Sequence, residues 1–233
     1  MQSMHQKHFR QNTQESGNVL IIILLAIVLI GALTAAMQAT SQQKSHIDDE
    51  TLILRANQIQ SQSAEFERGI TFIMQNGHSE SDIRFAHLNA HSDYGNLSTD
   101  SDTSDQLFAR DGGGATYHTP PNNINDGSQW EFYGHTALPD TGSDAAELIA
   151  VLPNINQRFC ERINDIIGYT GQPEDSATCI HGGSIERFDD TTQFDTSPNT
   201  TDSTTFSITP PLRGCIECTN DGSFHYFQVL MVR

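Results

Sequence analysis

Nineteen consecutive residues from Val19 to Met37, VLIIILLAIVLIGALTAAM, carry no charge in a 233-residue chain that is otherwise polar and acidic. A helix needs ~20 apolar residues to cross a bilayer, whereas the apolar core of a secretory signal spans ~7–15. The run therefore predicts a retained membrane anchor. Lys7, Arg10, His5 and His8 precede it, and Asp48, Asp49 and Glu50 follow it. Basic flanks stay in the cytoplasm. This predicts a single pass through the inner membrane, with the N-terminus cytoplasmic and the main domain periplasmic or extracellular.

The organisation follows from that anchor. Residues 1–17 are polar and aperiodic and read as a cytoplasmic leader; residues 18–37 form the transmembrane helix. Beyond it, Leu52, Ala56, Ile59, Ser63, Phe66, Ile70 and Ile73 recur at alternating steps of four and three. That is the stripe of an amphipathic helix, with Gln58, Gln60, Gln62, Glu65, Glu67 and Arg68 on its other faces. No proline intervenes before Pro120, and Asn76-Gly77 offers a C-cap, so residues 38–77 continue the anchor as helix. The same spacing would suit a coiled-coil seam. Ala56 and Ser63 within it, and its broadening at Phe72 and Met74, favour packing against the chain's own domain.

Residues 78–233 form the exported acidic domain. From Gly77 onward there are 23 Asp and Glu against 7 Arg, which accounts for most of the net charge of −17. Such a surface excludes nucleic acid as a partner. Short apolar runs between Gly, Asn, Asp and Ser predict strands at 83–85, 106–110, 114–118, 129–133, 206–209 and 223–232. The last follows the turn signal Asn220-Asp221-Gly222 and is expected to lie centrally in a sheet. One further helical region is predicted from Asp144 to Ile167, N-capped at Ser143, split by Pro153 and ended by Gly168. Asn89–Asp105 and Asp189–Ser203, rich in Ser, Thr, Asp and Asn, read as exposed loops that build no core. The predicted class is α+β, with the sheet mainly antiparallel.

Cys160, Cys179, Cys215 and Cys218 all fall on the exported side and are the disulfide candidates, with three pairings open. Cys215-Ile216-Glu217-Cys218 also has redox or zinc spacing. A redox pair should open a helix after a strand, whereas Pro210, Pro211 and Asn220-Asp221-Gly222 place this one in a loop. The other two cysteines form no second CxxC, and His181 and His225 are no better placed, so no metal site is expected. Gly112-Gly113-Gly114 lacks the Lys-Ser or Lys-Thr of a phosphate loop and reads as a tight connection between strands. Asp100, Asp102 and Asp105, and Asp189, Asp190 and Asp195, lack the Gly and Glu of a calcium-binding EF-hand loop, and solvated loops are the expectation. His78, His87, His91, His118 and His135 are scattered and no HExxH occurs. Ser143 and Ser184 have no nucleophile-elbow context. No catalytic residue, metal ligand or cofactor is predicted, and the chain is expected not to be an enzyme.

The first third of the chain, residues 7–77, resembles a type IV pilin or a type II secretion pseudopilin. The resemblance rests on the short basic leader, Gly17, the segment LIIILLAIVLIGALTAA and the proline-free passage into an amphipathic helix, followed by a sheet-rich domain with late cysteines. The rest is similar to pilin-like envelope proteins through FARDGGGATYHTPP, ELIAVLPNINQRFCERIN and YFQVLMVR. The resemblance implies cleavage by a prepilin peptidase after Gly17, leaving Asn18 as the new N-terminus. It also implies a long pilin-like helix packed on the sheet, and pilin-like subunits or a second copy of this chain as partners in a pilus or secretion filament. Two positions depart from the family: Ile22 stands where the fifth mature residue is usually Glu, and Asn18 where the first is usually aromatic or Met. Members of the family placed at a filament tip can lack that Glu, which keeps a minor-subunit role open. The alternative is a membrane-tethered ligand- or ion-binding module that does not polymerise, using the loops 89–105 and 189–203.

Overall fold

A computed structural model describes residues 16–176, 179–181, 187–189 and 191–233; in its first helix the described side chains are those of 20–34 and from 49 onward. The chain divides into two compact units, Met1–Glu50 and Thr51–Arg233. Helix α1, Ser16–Gln75, contributes to both. In the first unit every large apolar side chain from Leu20 to Leu33 is 52–69% exposed. Among the described residues no helix is long and apolar enough to cross a membrane. The apolar run read as 19–37 is described in its side chains only from Leu20 to Thr34.

The second unit is α+β. After the remainder of α1 come β1 (Glu131–Ala137), β2 (Glu147–Leu152), α2 (Gln157–Ile167), β3 (Glu174–Asp175), β4 (Asn199–Thr200), β5 (Arg213–Cys218) and β6 (Ser223–Met231). They form one sheet in the order β3-β5-β6-β2-β1-β4. The longer pairings, β1–β2, β2–β6 and β5–β6, are antiparallel, while the two-residue edges β3 and β4 pair in parallel. β6 lies inside the sheet as its composition predicts.

β2 overturns the first half of the predicted helix at 144–167. Glu147-Leu148-Ile149-Ala150-Val151-Leu152 is buried at every position. A strand sends successive side chains to opposite faces, so a continuous apolar run marks one covered on both. Leu148, Ala150 and Leu152 enter a core with Phe66, Trp130, Phe132, Phe159 and Tyr226. Ile149 and Val151 enter a second core with Tyr133, Ile180, Ile216, Phe227 and Val229. Pro153 then ends the strand rather than splitting a helix. Ser143 is no N-cap; its backbone N–H donates to the Arg233 carbonyl at 2.7 Å. The second half stands as α2, closed by Gly168 at φ 101°.

Ala56, Ile59, Ser63, Phe66, Ile70 and Ile73 of α1 are buried as the stripe predicts, and Gly77 at φ 96° follows the helix. Two positions differ from the expected faces. Gln62 is buried, where its Nε2 donates to the His118 carbonyl at 2.7 Å and its Oε1 accepts from Trp130 Nε1 at 3.1 Å. Phe72 is 48% exposed. The helix thus buries a polar residue because His118 and Trp130 supply partners for both ends of the amide.

Four predicted strands are not strands. Segments 83–85 and 106–110 meet through a single bridge, Arg84 to Gln106, and 114–118 and 206–209 join no ladder. The predicted strand at 129–133 is β1, shifted to 131–137. Gly112-Gly113-Gly114 therefore joins no two strands but forms a turn against α1. A Cβ on Gly69 of the helix would stand 2.6 Å from Leu107 Cδ1 and 3.1 Å from the Gly113 carbonyl oxygen. The loop 89–105 also builds core after all: Tyr94 is buried, and its hydroxyl accepts from the Phe132 N–H at 2.7 Å.

Candidate functional site

The cysteines resolve into two bridges, Cys160–Cys215 with Cα atoms 5.3 Å apart and Cys179–Cys218 with Cα atoms 5.4 Å apart. The CxxC segment is not a loop as expected but the body of β5. Residues three apart on a strand face opposite ways. Cys215 therefore joins the core beneath α2, while Cys218 joins the second core on the other face. The pair cannot act as a redox dithiol or share a metal. Each bridge instead closes a loop, of 55 and 39 residues of separation, worth about 4 kcal/mol apiece in chain entropy.

Asn164 of α2 completes this edge of the sheet. Its Nδ2 donates to the Cys215 carbonyl and its Oδ1 accepts from the Cys215 N–H, both at 2.8 Å. A buried amide thus takes the place of a neighbouring strand on the side of β5 facing away from β6. Farther along, Glu217 N–H donates to the Pro173 carbonyl at 2.8 Å.

Cys218 has further company. The β5–β6 register opposes Cys218 to Ser223 and Ile216 to His225, which puts Cys218 and His225 on one face of the hairpin. Cys179 and His181 come to that face from the loop after β3, with Cys179 at φ 63°. Such a backbone angle is uncommon for a residue with a side chain. One donor atom from each of Cys179, His181, Cys218 and His225 lies within 4.8 Å of the others, and among the described residues no other group of three or more such side chains converges. The expectation that His181 and His225 are poorly placed is thereby corrected. His225 is 5% exposed, and burial lowers its pKa to about 4, with His181 adding to the shift. Burial also lowers the pKa of His181. Both rings are neutral near pH 7 and each keeps a buried Nδ1 without a hydrogen-bond partner.

A separate cleft of about 510 Å³ lies between the two acidic loops, lined by Arg84, Asp93, Asp100, Asp105 and Asp189 among others. Asp100 Oδ2 accepts from Gln106 Nε2 at 2.6 Å, and Asp189 Oδ1 accepts from the Thr191 and Thr192 N–H groups at 2.6 and 2.8 Å. These carboxylates brace their own loops. Asp105 differs: its Oδ1 is buried without a hydrogen-bond partner, and burial raises its pKa. Asp102, capping Ser104, and Asp195, capping Ser197, do not line the cleft. Asp190 lies outside the described residues. Arg187 ties the region to the sheet, pairing with Asp93 at 2.9 Å and Glu131 at 2.5 Å.

Of the remaining candidates, Gly17 and Asn18 lie in the first turn of α1, and residues 1–15 of the leader lie outside the described residues. Ser143 Oγ accepts from the Ala145 N–H at 3.2 Å, a local turn contact, and Ser184 lies outside the described residues. His87 stacks on Tyr117 with ring centroids 4.7 Å apart. The sequence signals for the Cys/His cluster were present but weak: Cys-x-His at 179–181, and a Cys and a His flanking the turn at Asn220-Asp221-Gly222. Comparison with protein-family models, with curated proteins and with solved structures found no match.

Proposed function

We propose that this chain is a non-enzymatic, pilin-like or minor-pseudopilin-like protein, held in the inner membrane by Val19–Met37 and acting in the assembly of a pilus or secretion filament. The observation that carries the reading is the contrast along α1. Ile59, Phe66, Ile70 and Ile73 are wholly enclosed in the domain core, while Leu20 to Leu33 are left exposed. Soluble proteins rarely leave so large a contiguous apolar surface uncovered, and lipid or neighbouring apolar helices would cover it. The two disulfides suit an oxidising compartment outside the inner membrane. Prepilin peptidase would release Asn18 as the mature N-terminus. Ile22, lacking the usual carboxylate, fits a subunit at a filament end. Intact-mass and N-terminal analysis of the membrane-extracted protein tests this: a methylated Asn18 start supports it, and an intact Met1 removes the filament role.

A second reading, a membrane-tethered ion-binding module, has the acidic cleft in its favour. Asp105 and its neighbours would take a hard cation such as calcium. A thermal midpoint of the full chain that calcium does not raise would eliminate it.

A further inference from the structure

We propose that Cys179, His181, Cys218 and His225 form a four-coordinate site for a zinc-type divalent cation when the Cys179–Cys218 disulfide is reduced, so that bridge and metal are alternative cross-links at one place. Two thiolates and two imidazoles are a ligand set of structural zinc. Ligands at the usual zinc distances stand roughly 3.3–3.8 Å from one another. The four donor atoms already lie within 4.8 Å of one another, and reduction frees the two bonded sulfurs to separate to that spacing.

The surroundings of His225 supply an independent argument. Ser223 Oγ lies 2.6 Å from Asp221 Oδ1 and 2.7 Å from His225 Nε2. A hydroxyl has one proton, and the carboxylate takes it. Ser223 must then accept from His225 Nε2–H, which leaves the lone pair on Nδ1. That Nδ1 is buried without a hydrogen-bond partner, as is Nδ1 of His181. A carboxylate–hydroxyl–imidazole chain that fixes the tautomer is the outer support that metal-ligating histidines ordinarily have. The ring that this chain orients is nearly enclosed, and an unanswered lone pair there is costly without a Lewis acid. Asp175, Asp221 and Glu131 also place negative charge around the histidines, which favours a dication.

The chemistry balances with a phosphine as reductant. A trialkylphosphine and one water convert the disulfide into two thiols and the phosphine oxide. The cation then displaces one proton from each thiol, releasing two protons to solvent, and takes the lone pairs of two neutral imidazoles.

The test uses the full chain in detergent, reduced with a trialkylphosphine under anaerobic conditions and titrated with cobalt(II), then with zinc(II). The expected result is one cobalt per chain, with tetrahedral visible bands and near-ultraviolet thiolate charge transfer, both abolished by one equivalent of zinc. The unreduced chain shows neither. Cys179→Ser with Cys218→Ser loses the thiolate band although Cys160 and Cys215 are still reduced. His181→Asn, at a half-buried position, weakens cobalt binding by ~100-fold. Circular dichroism confirms that each variant is folded. Octahedral cobalt, equal binding by either variant, or unfolding of the reduced chain would each overturn the proposal.

Discussion

Glu147 offers the sharpest test of the packing described above. It begins β2 wholly buried, with Oε2 accepting from the Leu138 N–H at 2.9 Å and Oε1 without a hydrogen-bond partner. Burial raises its pKa from an ordinary 4.5 to about 7, against the opposing pull of the Leu138 N–H and of Arg233. The folded state therefore keeps a proton that the unfolded chain has lost between those values. Stability contributed by this group is present below pH 4.5, falls as pH rises to about 7, and is flat above. The gap corresponds to about 3 kcal/mol. His225 works in the opposite direction, since its folded pKa of about 4 lies below the ordinary 6.5 and stability is lost as pH falls between them. The wild-type profile therefore understates both groups, and the readout is the difference from Glu147→Gln, which preserves the acceptor for Leu138. Denaturant unfolding should find the variant near wild type at pH 4.5 and more stable by up to about 3 kcal/mol at pH 8. A difference constant across that range would refute the account of Glu147 as a carboxyl held neutral by burial.

Asn164→Leu keeps the branched shape but strips the Cys215 N–H of its acceptor, while the carbonyl retains Gln172 Nε2 at 3.0 Å. A loss of ~1–3 kcal/mol in chemical denaturation is expected, and a change below about 0.5 would show that the edge of β5 needs no surrogate strand. Gly69→Ala drives a methyl into Leu107 and the Gly113 carbonyl, at 2.6 and 3.1 Å. It should lower stability by ~1–3 kcal/mol, despite alanine's better helix propensity, and a stabilised variant would mean that the glycine turn yields freely.

The amphipathic part of α1 could be read from the chain because a period of four and three over Leu52–Ile73 has one structural solution. β6 could be read because its aromatics and aliphatics follow a turn signal. β2 could not, because a strand buried on both faces has no alternation and, next to a Ser-Asp start, imitates a helix. Missing β2 also hid its pairings with β1 and β6. The cysteine pairing stays open in the sequence for a related reason. Once Arg213–Cys218 is a strand, the three-residue spacing sends the two sulfurs to different faces, but prolines before it and a turn after it disguise it as loop. The Cys/His cluster depends on hairpin register and on the return of residues 179–181, neither of which any local spacing records.

The two bridges also interlace, since Cys179 falls between Cys160 and Cys215, and Cys215 between Cys179 and Cys218. Cutting the backbone once anywhere from 160 to 218 therefore leaves every atom still joined through sulfur. The acidic loop at 189–203 sits inside that covalent graph, so a protease can nick it without releasing a fragment, and the cut becomes visible only after reduction. Peptide-bond loss and loss of connectivity are thereby two separate events in this domain.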